Sequence, residues 1–227
     1  MLGSQALLEA LRREKVEVIF GIPGGATIPI YDVFDETCPR HILTRHEQCA
    51  GHMADGYARA SGKVGVCMAT SGPGATNLVT AVTNAYMDSS PVVAITGQVP
   101  RAMIGKDAFQ EADIVGIMTP VTKYTYQPRR AADIPRAVKE AFYIAATGRP
   151  GPVLVDIPKD VQMETASMDF PSNAELRGYR PTYDPHPLQV KKAADILSQA
   201  ERSMILSGGG VIISDATNEL LALAELL

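Results

Sequence analysis

The sequence predicts an α/β protein: a doubly wound, six-stranded parallel sheet followed by the start of a second α/β domain. Three observations carry this. Short apolar runs alternate with helical periodicities from the N-terminus to residue 157, and that alternation calls for crossovers and a parallel sheet. Two of the runs, VGVCMAT and VVAIT, are continuously apolar, as strands are when helices cover both faces of a sheet. Gly- or Pro-rich turns then punctuate the ends of several strands.

Taken in order, Leu7, Leu8 and Leu11 recur at helical spacing, and residues 16–20 form a first strand that stops at the bare turn GIPGG. Thr27 followed by Pro29 starts a helix carrying Ile30, Tyr31 and Phe34. Next come a strand over 41–44, a helix over 47–61 closed by Gly62, a strand over 64–70, a helix over 76–88 and a strand over 92–96 that ends at Gly97. Residues 98–110 read as a functional loop, with helix from about Glu111 and a strand over 121–126. Asp133 caps a helix that runs to Ala146, and the sixth strand spans 153–157. The first domain is therefore placed at 1–162. A proline-rich linker follows at 163–187, and a second domain opens at 188–227 with a helix over 188–199, a strand over 203–206, a turn at 208–210 and a helix from 215. One strand cannot make a sheet, so this domain is expected to be incomplete and the chain a fragment.

Composition excludes several functions. With 25 acidic against 21 basic residues there is no excess of positive charge for nucleic acid or anionic lipid, and no run approaches the roughly 18 apolar residues of a membrane span. Cys38, Cys49 and Cys67 are odd in number and widely spaced, which predicts free thiols in a reducing compartment. The four histidines show no zinc spacing, so no protein-only metal site is expected. The N-terminus enters a helix without a leader pattern, which makes a cytoplasmic location the default expectation.

Ligands of doubly wound sheets bind beyond the carboxyl ends of the strands, and the turns at 21–25, 45–47, 71–74 and 97–100 all lie there. Glu47 would begin a helix, where the dipole favours a carboxylate, and a carboxylate set in an apolar cleft can serve as a proton carrier. The turn SGPGATN has neither the Lys-Ser/Thr of a P-loop nor G-x-G-x-x-G spacing, so alone it is a weak phosphate motif. Ala50, Gly51, Ala54 and Ala58 form a small-residue stripe suited to close packing by a sheet, a helix or another subunit.

Five segments in register, GIPGGATIPIYD, RHEQCAGHMADGYARASG, ATSGPGATNLVT, AITGQVPRAMIGKDAFQE and GRPGPVLVDIPKDVQ, resemble the N-terminal, pyrimidine-binding domain of thiamine-diphosphate enzymes. The resemblance covers nearly the whole chain and is closest to the acetohydroxyacid synthase (acetolactate synthase) large subunits of branched-chain amino-acid biosynthesis. It implies that Glu47 hydrogen-bonds N1′ of the cofactor's aminopyrimidine and so activates its thiazolium carbon, and that Gly25, Thr70, Pro73 and Asn77 line the pyrimidine. By the same resemblance Phe109 and Gln110 stand at the reacting end, Lys159 lies by the substrate path, and Arg149 contacts an FAD of structural role. Pyruvate and 2-ketobutyrate are the implied substrates, magnesium ligands lie outside these residues, and the implied partners are further copies of the chain, in a homodimer or higher oligomer, and a small regulatory subunit. The chain alone is then expected to be inactive. Ile22 stands where many relatives have tyrosine and Ala102 where many have a second arginine. Other carboligases, acetyltransferases and oxidases of the family remain alternatives, as does a non-catalytic binding module; the glutamate at 47 argues against glyoxylate carboligase.

Overall fold

A computed structural model describes residues 1–227, which divide into two compact units, Met1–Arg180 and Pro181–Leu227. In the first unit the elements run α1 (Gly3–Arg13), β1 (Val18–Gly21), α2 (Ile28–Tyr31), β2 (Arg40–Leu43), α3 (Glu47–Ser61), β3 (Gly65–Ala69), α4 (Pro73–Thr76), α5 (Val79–Met87) and β4 (Val92–Gln98). They continue with α6 (Ile114–Met118), β5 (Tyr124–Tyr126), α7 (Ile134–Ala146), β6 (Val153–Pro158) and α8 (Lys159–Met163). The six strands form one sheet in the order β2-β1-β3-β4-β6-β5, every pair parallel. This is the expected doubly wound sheet.

Alternation along the strands feeds two cores. Val66 and Met68 of β3 join Val93, Ile95, Val153 and Val155 against Leu7 and Leu11 of α1 and Val138 of α7. Cys67 and Ala69 join Ala94 and Leu154 against Ala50 and Ala54 of α3 and Leu78 and Val82 beside or within α5. The small-residue stripe of α3 is taken up inside the unit: a Cβ on Gly51 would fall 2.5 Å from Ala81 Cβ, and Gly65 lies hard against the Ala54 carbonyl. It therefore argues for close helix–helix and helix–strand packing within the chain rather than for a contact with another subunit.

Several boundaries differ from expectation for local reasons. The helix expected over 76–88 starts earlier and is interrupted, because Gly72 at φ +52 turns the chain so that Pro73 can open the short helix α4 before α5 begins. Pro120 stands in the opening positions of a 3₁₀ turn over Thr119–Val121, which takes up the start of the expected strand and leaves β5 its last three residues. The helix placed near Glu111 begins at Ile114, capped by Asp113 Oδ1 accepting from the Gly116 amide at 2.9 Å. β4 runs on through Gly97 to Gln98.

Residues 163–180, expected as part of a linker, lie in the first unit. Phe170 packs under the Arg13 guanidinium at 4.4 Å, and the Tyr179 hydroxyl donates to the Thr147 carbonyl at 2.7 Å. Two aromatic anchors are enough to strap a proline-rich segment down. The second unit contains α9 (Pro187–Ser198), α10 (Gly209–Ile213) and α11 (Thr217–Leu226). The strand expected at 203–206 is absent, since no neighbouring strand there takes up its backbone groups, and residues 209–210 open α10 instead of forming a turn. No helix is long and apolar enough to cross a membrane.

Candidate active site

β1 and β3 are neighbours, yet the chain leaves β1 toward β2 on one side and passes from β3 to β4 on the other. That reversal opens a crevice beyond their carboxyl ends. The turn after β1 is tied across it: the Ala26 amide donates to Thr70 Oγ1 at 3.1 Å, and the Gly24 amide to Thr27 Oγ1 at 3.2 Å. A Cβ on Gly24 would fall 2.5 Å from Thr70 Cβ, so glycine lets the two turns touch. The Ala26 carbonyl accepts from the buried Gln162 Nε2 at 2.8 Å, which fastens the same turn to α8.

Glu47 opens α3, whose N-cap His46 accepts the Gln48 amide through Nδ1 at 3.1 Å. Its half-buried carboxylate faces the turn after β3, where Asn77 Nδ2 donates to Oε2 at 2.9 Å. The other oxygen, Oε1, lies beside Gly74, where a Cβ would stand 3.3 Å away and would also meet Thr70 Cγ2 at 2.7 Å. Gly72 has φ +52, and a Cβ there would strike the Gln110 carbonyl; Gln110 is itself left-handed at φ +54. Two left-handed backbones thus abut, bringing the loop after β4 against the turn after β3. Gly25 is exposed with nothing within 4 Å of a Cβ.

Glu47, Thr70, Pro73 and Asn77 are therefore assembled in one place, with Gly25 on the adjoining turn and Gln110 against its far side. A carboxylate with one oxygen steadied by an amide, opposite glycine backbone and beside open space, suits a flat heteroaromatic ring bearing a basic nitrogen. Lys159 stands at the start of α8 on the same carboxyl edge, half-buried, next to Asp160, whose carboxylate accepts from the Arg101 amide at 3.0 Å and from its Nε at 2.6 Å. Phe109 is 88% exposed on its loop. Arg149 is not brought to this cluster. It precedes β6 at the amino edge of the sheet, donating from Nε to Ser89 Oγ at 2.7 Å and from Nη2 to the Met87 carbonyl at 3.2 Å, at the end of α5.

Sequence reasoning missed a buried polar network behind the loop. Asp156, fully buried in β6, accepts from Thr96 Oγ1 at 2.6 Å, from Gln127 Nε2 at 3.0 Å and from Gln98 Nε2 at 3.2 Å. Burial pushes its carboxyl up to about 6, against the downward pull of these hydrogen bonds. An aspartate inside the apolar run VLVDIP was the available signal.

Residues 1–117 match the thiamine pyrophosphate enzyme, N-terminal TPP binding domain family. The chain is 55% identical over 228 residues to a protein of Methanocaldococcus jannaschii described as a probable acetolactate synthase large subunit, covering 99% of this chain and 39% of that protein. It is 57% identical over 225 residues to an acetolactate synthase large subunit of Mycobacterium tuberculosis, and 53% identical over 226 residues to that of Corynebacterium glutamicum. Both matches cover 99% of this chain and 36% of the relative. The chain thus spans less than half the length of the relatives it matches.

Proposed function

This chain belongs to the thiamine pyrophosphate (thiamine diphosphate) enzymes through their N-terminal binding domain, and from that premise we propose that it forms the pyrimidine side of the active site in an acetolactate synthase large subunit. The observation that carries the reading is the Glu47 carboxylate, steadied by Asn77 and facing Gly74 at the strand-order reversal of the sheet. When bound, thiamine diphosphate would supply the carbon nucleophile and the electron sink that decarboxylation of a keto acid such as pyruvate requires.

This chain's residues hold and tune that chemistry. Glu47 would carry the proton shared with N1′ of the aminopyrimidine, and Asn77 keeps the carboxylate turned toward it. The missing side chains at Gly25 and Gly74, the methyl of Thr70 and the ring of Pro73 would shape a slot one aromatic ring thick. Gln110 and Phe109 would border the reacting carbon, and the positive charge of Lys159 would draw keto-acid carboxylates toward it. The second acceptor is pyruvate or 2-ketobutyrate, giving acetolactate or acetohydroxybutyrate.

The diphosphate and its magnesium ion would be held by residues outside these 227, in a homodimer that associates with a small regulatory subunit. FAD would be a further cofactor, with Arg149 its proposed contact, away from the Glu47 cluster. On this reading the pyrimidine domain occupies 1–162, with a central domain beginning near 188. Free Cys38, Cys49 and Cys67 suit work in the reducing cytoplasm.

The test is acetolactate formation from pyruvate by the intact enzyme with thiamine diphosphate and magnesium. Product is expected from the wild type and is lost in Glu47→Gln. No product from the wild type, or undiminished product from the variant, would overturn the reading. The 227-residue chain under the same conditions should form none.

A further inference from the structure

We propose that Gln98, held by Asp156, is a positioning residue that closes the base of the loop over residues 99–113 and thereby sets Gln110 against the Gly72 turn. Gln98 is the last residue of β4 and is 3% exposed. Its side-chain oxygen accepts from the Val99 amide at 2.9 Å, at the start of the loop, while Nε2 donates to the Ala112 carbonyl at 3.0 Å, near its end. One amide group thus spans both ends of the loop. Nε2 also reaches Asp156 Oδ2 at 3.2 Å, and that carboxylate is fixed by two further side chains, Thr96 Oγ1 of β4 and Gln127 Nε2 just after β5. With donors converging on both of its oxygens, Asp156 cannot turn, and so the Gln98 amide cannot flip.

The loop above the latch is organised around its own carboxylate. Glu111 accepts from the Gly105 amide and from the Ala108 amide at 2.9 Å. What this internal folding does not supply is attachment at the base. The left-handed Gln110 meets the left-handed Gly72 with carbonyl against Cα, a contact that tolerates little displacement. The consequence for catalysis rests on the function proposed above; the consequence for loop order does not.

The test is hydrogen–deuterium exchange on the intact enzyme. In Gln98→Leu, peptides covering 99–113 should exchange about tenfold faster while peptides from α1 and α3 keep the wild-type rate. Thr96→Val removes a different donor from the same carboxylate without touching the loop, and should raise exchange over 99–113 clearly less than Gln98→Leu does. If Gln98→Leu does not fold, Asp156→Asn keeps the volume and removes one acceptor, and should open the same peptides about threefold. In acetolactate formation, Gln98→Leu should lower kcat/KM for pyruvate by roughly tenfold to a hundredfold, through misplacement of the loop. Proton exchange at the thiazolium carbon, which reads Glu47, should stay within about twofold of the wild type. Unchanged exchange over 99–113, an equal rise in α1 and α3, or equal opening by Thr96→Val would each overturn the latch. A wild-type enzyme that makes no acetolactate would overturn the proposed function and leave the exchange result to decide the latch.

Discussion

Glu47 and Asp156 are carboxylates of the same sheet, one just beyond the edge strand β2 and the other in β6, with β1, β3 and β4 between them. Glu47 is half-buried and accepts one hydrogen bond on one oxygen, from Asn77, with the other oxygen facing a glycine. Asp156 is fully buried and accepts from Thr96, Gln98 and Gln127, and burial still lifts its carboxyl to about 6. At Asp156 the three neutral donors only partly offset the loss of water around the charge. On the proposed function, the accessible carboxylate is the one that keeps an oxygen for a ligand and moves a proton. The sealed one is an acceptor that orders its neighbours.

The largest effect expected to test this contrast is at Glu47. In the intact enzyme, Glu47→Gln should slow proton exchange at the thiazolium carbon by about 10²–10⁴-fold with little change in folding stability. An unchanged rate would leave Glu47 no more chemical than Asp156.

Asp156 should instead report in stability against pH. Its folded carboxyl titrates near 6 rather than 3.8, so the native state binds the proton more tightly than the unfolded chain does. Its contribution is therefore fully present below about pH 4 and is lost as pH rises through 6. The displacement corresponds to roughly 3 kcal/mol over that window. The difference in unfolding free energy between wild type and Asp156→Asn, followed from pH 4.5 to 7.5, should shift in favour of the variant by a sizeable part of that amount. A difference that stays flat would contradict the burial argument.

Glycines sharpen the comparison further. Gly72→Ala forces a side chain into a left-handed position and onto the Gln110 carbonyl, and should cost about 2 kcal/mol or more. Gly25→Ala meets nothing within 4 Å, so its stability should stay within about 0.5 kcal/mol of the wild type while affinity for thiamine diphosphate falls. The smallest effect is expected at Phe109→Ala. This side chain is 88% exposed, and a thermal midpoint unchanged beyond error would agree with its having no packing role.

Much of the site was legible in the sequence because its geometry is made by local backbone rules. Gly62 closes α3 at φ +70 and Glu47 begins it, both where the sequence placed them. Arg149, expected to contact FAD rather than the pyrimidine, lies apart from the Glu47 cluster, at the amino edge beside Ser89 and Met87. The expected strand at 203–206 shows where such reasoning stops, since a strand is defined by a partner that the local sequence does not contain.

The sequence by itself determined the alternation of elements, the parallel sheet, the bare turns and a carboxylate at the start of a helix, all of which depend on residues within a few positions of one another. Tertiary structure alone decided the strand order β2-β1-β3-β4-β6-β5, and with it the meeting of Gly24 with Thr70 and of Glu47 with Asn77. It alone joined Thr96 and Gln98 to Asp156, residues 60 and 58 positions apart that become neighbours because β4 pairs with β6 in register. The physical reason is that periodicity and turn chemistry act along the chain. The choice of strand neighbour is set by which helices can cover which face, a competition among all the elements at once.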